Sequence, residues 1–374
     1  MSKKKIIFVM NNFLVGGVEK LLFDIISCLD KEKYDINIIT VFGTGPLENS
    51  FRHLGIPIYF SGPSGLFSRK LPFKLYWLLI APITLIRITF FLFKSKPDVV
   101  VSSLYQADVI SMTAAKIAGI KKRILIQHDV VHFFKFRHFI KKNFALKFST
   151  QIISVSETVK DFLVKHFKVD SQKITIIYNG IDYKCFAKGK KLVSSREMPV
   201  MGIIGRLEEI KGHGCALEAL KILKEKHNLS PVVLLAGDGT LRGILNKYVI
   251  ENNLNSVKFL GSIDDVPKFL SQVDILIVPS KDEGFGLVVL EGIVARKVVI
   301  ASDLPVFKEL IQSGKNGIFF QANNSINLAD VLLEFIQHPN FIKNYQKNID
   351  LWINQVGYKY DLHFVVNEYQ KLLG

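Results

Sequence analysis

The apolar positions of this chain fall into short continuous runs separated by polar turns, the mark of strands buried on both faces of a parallel sheet. Ile6 to Met10, Ile36 to Val41, Ile56 to Phe60, Asp98 to Val101, Arg123 to Gln127, Gln151 to Val155 and Lys173 to Ile177 predict strands in the first half. Pro199 to Ile204, Val232 to Ala236, Val257 to Leu260, Ile275 to Val278, Val298 to Ala301 and Gly317 to Phe320 predict more in the second. Helical spacing appears in Val18 to Leu29, in Ala216 to Lys226, after Gly286, and in Lys359 to Leu373. Strand, glycine loop and helix in alternation describe doubly wound α/β domains.

Lys188 to Met198 is polar and charged, and predicts a linker. The expected organisation is a domain over 1–187, a linker over 188–198, a second domain over 199–355 and a closing helix within 356–374. A chain of 374 residues, 49% hydrophobic and 22% charged, has room for two globular domains and is not disordered. Cys28, Cys185 and Cys215 show no zinc spacing and read as reduced, buried thiols of a cytosolic protein. Met1 to Lys5 followed by Ile6 to Met10 is too short for a signal peptide and runs into Asn11-Asn12, so a first strand is expected.

The net charge of +16 sits almost wholly in the first half, and most of it between Leu66 and Lys147, which holds 15 basic and 3 acidic residues. No nucleic-acid-binding motif accompanies it, and the charges alternate with long apolar runs, so an anionic membrane surface fits better than nucleic acid. Leu75 to Phe93 carries Arg87 as its sole charge and is apolar on every face. It is to be covered by lipid in the membrane plane or by protein; Pro82, Arg87 and a borderline length speak against a spanning helix. Val131 to Phe148 interleaves Phe133, Phe134, Phe136, Phe139, Phe144 and Phe148 with Lys135, Arg137, Lys141, Lys142 and Lys147. It suits an interfacial helix, or a core-facing helix with a solvated basic side.

The candidate chemistry centres on Asp282 to Glu291, between a strand and a helix. The first N–H groups of a helix lack intrahelical partners and its dipole is positive there, so the junction at Gly284, Phe285, Gly286, Leu287 and Val288 suits a phosphate. Glu291 would lie about 7 Å along that helix, its side chain tilted back toward the start. Glu283 would lie on the other side of the same pocket. Carboxylates beside an anion do not bind it; they hold hydroxyls, and a sugar nucleotide has hydroxyls on both sides of a diphosphate. An ordinary loop with a solvated Glu283 and a dipole-favoured Glu291 is the alternative. Gly16-Gly17 after the first strand fits a ligand or a plain tight turn. Arg206 and Lys211, at a strand end and a helix start, fit an anion pocket or solvated surface. Gly237-Asp238-Gly239, with Gly243 one residue late, makes a poor dinucleotide fingerprint.

Taken in order, Gly16-Gly17-Val18-Glu19, Asn179-Gly180-Ile181-Asp182, Gly205-Arg206-Leu207, Lys211-Gly212, Gly237-Asp238-Gly239 and the pair Glu283 and Glu291 resemble glycosyltransferase family 4, retaining enzymes of the GT-B fold. The resemblance implies two Rossmann-like domains facing across a cleft, an acceptor-binding first domain and a donor-binding second domain; the residues themselves add membrane-facing basic helices in the first domain and a final helix, Lys359 to Leu373, packing back across it. It also implies roles: Arg206 and Lys211 neutralising the donor diphosphate, amides near Leu287 and Val288 adding hydrogen bonds, Glu291 holding the ribose, Glu283 the transferred sugar, Gly16-Gly17 meeting the donor, and His128 near the reacting sugar. A loop histidine of purely structural use is the other reading of His128.

The function implied is transfer of a sugar, from UDP by the family's habit, onto a lipid-linked saccharide in bacterial surface polysaccharide synthesis, by a cytoplasmic enzyme on the inner face of the membrane. No Asp-x-Asp occurs, so neither metal nor other cofactor is expected. One segment departs from the family: where a Gly-Gly and then a Pro-Glu are common, this chain has Ser302 to Glu309, with Glu309 the counterpart of that glutamate. A nucleotide-sugar epimerase of the same fold, and a non-catalytic protein binding membrane or nucleic acid, are the competing functions.

Overall fold

The computed structural model describes residues 3–14, 16–62, 80–130, 136–187 and 198–374. The expected linker, apart from Met198, lies outside them. The chain forms two compact units, 1–180 with 362–374, and 181–361.

The first unit runs β1 (Lys4–Met10), α1 (Gly17–Cys28), β2 (Tyr34–Thr40), α2 (Glu48–His53), β3 (Ile58–Phe60), α3 (Ala81–Ser95), β4 (Val99–Ser103), α4 (Tyr105–Ile117), β5 (Lys122–Gln127), α5 (Phe136–Phe148), β6 (Gln151–Ser154), α6 (Glu157–Phe167) and β7 (Ile174–Ile176). Its strands pair in parallel in the order β3-β2-β1-β4-β5-β6-β7. Ile6 to Met10 and Val99 to Val101 are buried, as strands covered on both faces must be.

The second unit runs α7 (Tyr183–Ala187), β8 (Met201–Ile204), α8 (His213–His227), β9 (Val233–Ala236), α9 (Arg242–Glu251), β10 (Val257–Gly261), α10 (Val266–Leu270), β11 (Ile275–Val278), α11 (Leu287–Val294), β12 (Val298–Ser302), β13 (Gly317–Phe320), α12 (Ser325–Gln337) and α13 (Asn340–Gln355). Its parallel order is β10-β9-β8-β11-β12-β13. Every expected strand is present with its ends within two residues of the expected ones, and Ile275–Val278 and Gly317–Phe320 coincide with them.

The chain returns to the first unit through α14 (Leu362–Leu373), which packs on α1. The helix expected from Lys359 begins later because Tyr360 is held. Its ring is buried and stacks on Trp352 at 5.9 Å, and its hydroxyl donates to the Glu309 carbonyl at 3.1 Å. The division also falls at Ile181, ahead of the position expected, since α7 belongs with the second unit.

Two further expectations are corrected. Cys185 is exposed, and Cys28 and Cys215 are half-buried. In α5, Phe139 and Phe148 pack on the core and Phe139 stacks on Phe167 at 4.6 Å, so one side of this helix faces the protein, while Ile140 and Phe144 are exposed on another. Its Lys142 is not solvated: it is 2% exposed and donates to the Asp108 carboxylate at 2.6 Å. Residues 131–135 of that segment, and 75–79 of the longer apolar one, lie outside the described residues. Among the described residues no helix is long and apolar enough to cross a membrane.

Candidate active site

In an open α/β sheet, ligands bind beyond the carboxyl ends of the strands where the strand order reverses. In the second unit that place lies between β8 and β11. The residues singled out in the sequence follow those strands. Gly205 and Arg206 end β8, a 3-10 turn over Glu209–Lys211 leads to α8, and 279–286 connects β11 to α11.

The two loops are joined backbone to backbone. Gly212 has φ +68°, and a Cβ there would stand 1.9 Å from the Pro279 carbonyl oxygen, so only glycine fits. The Lys281 amide donates to the Ile210 carbonyl at 2.8 Å. Across this seam the Lys211 ammonium hydrogen-bonds Glu283 Oε1, which also accepts from the Ser280 hydroxyl at 3.1 Å. The resemblance assigns Lys211 to a diphosphate and Glu283 to a sugar. The structure adds that the two side chains neutralise each other, and that Ser280 and then Ser302, which donates to the Ser280 carbonyl at 2.6 Å, hold them from below.

Helix α11 starts at Gly286, whose φ of +94° and close contact with Phe307 again exclude a side chain. No side chain caps this start. The Val289 amide donates to the Gly286 carbonyl at 3.0 Å, so the helix presents the amides of Leu287 and Val288, two half-buried residues, as an anion site. Gly284 and Phe285 are buried beneath, and Glu291 is half-buried one turn on. Arg206 is exposed at the end of β8. Next to it Glu208 accepts from the Thr240 hydroxyl at 2.7 Å and amide at 3.2 Å; those bonds, then Arg206, hold its carboxylate below the usual range. The Gly237 to Gly239 glycines serve backbone packing: a Cβ on Gly237 would meet the Gly205 carbonyl and one on Gly239 the Leu207 carbonyl.

One residue here was missed. His213 opens α8, is 2% exposed, and neither ring nitrogen finds a partner among the described residues. Burial, then Lys211, lowers its pKa to about 4. A histidine following Lys-Gly carries no signal of burial in sequence.

In the first unit the order reverses between β1 and β4. Gly16 caps α1 and Gly17 begins it, with the Glu19 carboxylate folded onto Gly16. Asn11 ties the end of β1 to α4, accepting from the Ala107 amide and donating to Gln106, each at 2.9 Å. His128 follows β5. Its Nε2 lies 2.9 Å from the Ser103 hydroxyl, at the end of β4, and its buried Nδ1 has no partner among the described residues. Behind Ser103, Ser102 donates to Asp108 at 2.7 Å, completing the environment of the buried Lys142 pair. Burial pushes the Asp108 carboxyl up, while Lys142 and Ser102 oppose it.

Burial, then Lys142, lowers the His128 pKa from 6.5 to about 3, so the ring is neutral at physiological pH and acts as a hydrogen-bonding group. The unfolded chain takes up a proton near 6.5 that the folded ring refuses. Stability contributed by the neutral ring is therefore present above 6.5 and lost as pH falls from 6.5 toward about 3. A His128→Gln variant is expected to show a flatter fall of thermal midpoint over that interval than wild type; an unchanged profile would contradict the assignment.

Two family models match this chain, Glycosyltransferase Family 4 over residues 15–184 and Glycosyl transferases group 1 over residues 187–352. Between them they account for nearly all of the chain, which belongs to glycosyltransferase family 4 and is a glycosyltransferase of the GT-B fold. It is 30% identical to an uncharacterized glycosyltransferase of Methanocaldococcus jannaschii, over 57% of each chain. It is 27% identical, over 95% of this chain and 98% of the other, to the UDP-Gal:alpha-D-GlcNAc-diphosphoundecaprenol alpha-1,3-galactosyltransferase of Escherichia coli. Among solved structures it superposes on Anabaena HepE, crystallised with UDP and glucose, with a TM-score of 0.81, 21% identity and 99% of both chains covered.

Proposed function

We propose that this enzyme transfers a sugar from a UDP-sugar to a lipid-linked saccharide, with retention of configuration and without a metal, in the synthesis of a bacterial surface polysaccharide. The observation that carries the reading is the second unit's reversal point, where Arg206, Lys211 and the uncapped start of α11 stand after adjacent strands beside Glu283 and Glu291. The E. coli relative, similar over almost its whole length, uses UDP-Gal and a diphosphoundecaprenol-linked sugar, which supports the donor and acceptor classes. HepE with UDP and glucose supports the same donor nucleotide.

Cleavage of the sugar–phosphate bond leaves the pair of electrons, and with it negative charge, on the diphosphate. Arg206, Lys211 and the helix amides meet that charge where it develops, so they favour the transition state over the bound donor. The Lys211 pair with Glu283 holds the ammonium in place beforehand; as diphosphate charge grows, Lys211 is drawn to it and Glu283 is released to the sugar hydroxyls. Glu291 takes the ribose hydroxyls. His128, neutral, offers a hydrogen bond and no charge. The enzyme works at the cytoplasmic face of the membrane, peripherally bound.

Glu291→Ala is expected to raise the donor KM about tenfold or more with a smaller change in kcat, since ribose contacts are made before and during reaction alike. Steady-state kinetics over donor concentration test this; a fall in kcat alone would remove Glu291 from the ribose. The cations already present supply what a metal would, so EDTA is expected to leave the rate unchanged. Loss with EDTA and recovery with Mg²⁺ would overturn metal independence, and inversion seen by NMR of the product would overturn retention.

A further inference from the structure

Helix α3 buries Ala81, Thr84, Ile88 and Leu92 against the core of the first unit. Its opposite side leaves Ile83 54%, Ile86 68%, Phe90 72% and Phe93 66% exposed. At 100° per residue each set of four occupies a stripe about 80° wide, and the two stripes lie on opposite sides of the helix. The helix is thus apolar twice over, and only one of its faces has a use within the unit. A continuous stripe of large apolar side chains in water marks an interaction surface.

We propose that this outer face of α3 seats the first unit on an anionic lipid bilayer. Charge selects the occupant. Arg87 and Lys94 are exposed along one edge of the stripe and Lys96 caps its end, whereas the sequence has no acidic residue between Glu48 and Asp98. Lipid headgroups of negative charge attract such an edge, and long basic side chains reach them while the stripe enters the acyl boundary. A second copy of the chain would instead bring like charges together. The inner stripe is committed to the core of the unit, so α3 can offer lipid its outer stripe alone and lies in the plane of the surface. This deepens the membrane reading above without depending on the chemistry, because α3 carries no residue of the donor site.

The test is flotation of the full chain with vesicles of phosphatidylcholine, alone or mixed with phosphatidylglycerol, comparing wild type with Ile86→Glu/Phe90→Glu. Both changes fall on exposed positions, so the thermal midpoint and the affinity for UDP, measured on the same preparations, stay unchanged. Wild type is expected to partition onto the mixed vesicles, and the double variant to lose that partition by about tenfold or more. Wild type that stays with the unbound fraction, or a double variant that floats as well as wild type, overturns the proposal. So does sedimentation showing a wild-type dimer that the double variant dissolves without any vesicle binding. Absent UDP binding with intact flotation would count against the donor assignment alone.

Discussion

Arg206→Ala lowers the rate of sugar transfer by about 100- to 1,000-fold and leaves the thermal midpoint where it was, the loss expected when one preorganised group facing a developing anion is removed. The second half of that statement follows from the surroundings. Arg206 is exposed at the end of β8, and its influence on Glu208 is smaller than that of the Thr240 hydrogen bonds, which remain. The loss should appear mainly in kcat, because diphosphate charge grows as the sugar leaves. Lys211→Ala tests the same charge less cleanly, since it also strands Glu283, whose side chain is 18% exposed. Steady-state rates of nucleotide release check both; Arg206→Ala at wild-type rate would remove the arginine from the diphosphate.

The largest effect on stability is expected at a residue that touches no substrate. Lys142→Met leaves the Asp108 carboxylate buried without its partner, and breaking a buried ion pair from one side costs about 3–5 kcal/mol. The Ser102 hydrogen bond remains but brings no charge. Burial already raises the Asp108 carboxyl, and the loss of Lys142 removes the largest influence that opposes that rise. The folded variant then holds a proton that the unfolded chain releases, so its stability is greatest at low pH and falls as pH rises through the Asp108 titration. Chemical denaturation of wild type and variant across pH measures this directly. Asp108→Asn/Lys142→Met should recover much of the loss, because neither charge is then left alone; equal stability of Lys142→Met and wild type at neutral pH would contradict the buried pair.

What the sequence makes legible here is what depends on neighbours along the chain. Val99 to Val101 and Ile275 to Val278 read as parallel strands because both of their faces are covered, and the Gly286 junction because the helix can start only after it. What it hides is contact across long separations. Lys142 meets Asp108 from another helix, 34 residues away, and Lys211 meets Glu283 across 72. In each case the sequence displays a charge that reads equally well as solvated. His128 and Ser103 are joined in the same way, by the alignment of strand ends. Helix α3 was illegible for a different reason: with apolar residues on all sides, periodicity names no inner face, and only packing chose Ala81, Thr84, Ile88 and Leu92 for the core. The closing helix starts later than its periodicity suggests because nothing local says that Tyr360 is anchored at Trp352 and Glu309.

The measurement closest to the central claim is release of nucleoside diphosphate from a panel of nucleotide sugars, in EDTA, with bacterial membrane extract as acceptor, for wild type, Glu291→Ala and Arg206→Ala. With each donor held well below its KM, release of UDP from one UDP-sugar by wild type, about tenfold or more slower in Glu291→Ala and slower still in Arg206→Ala, is the expected result; no release from any donor by folded wild-type protein, or equal release by all three, would contradict it.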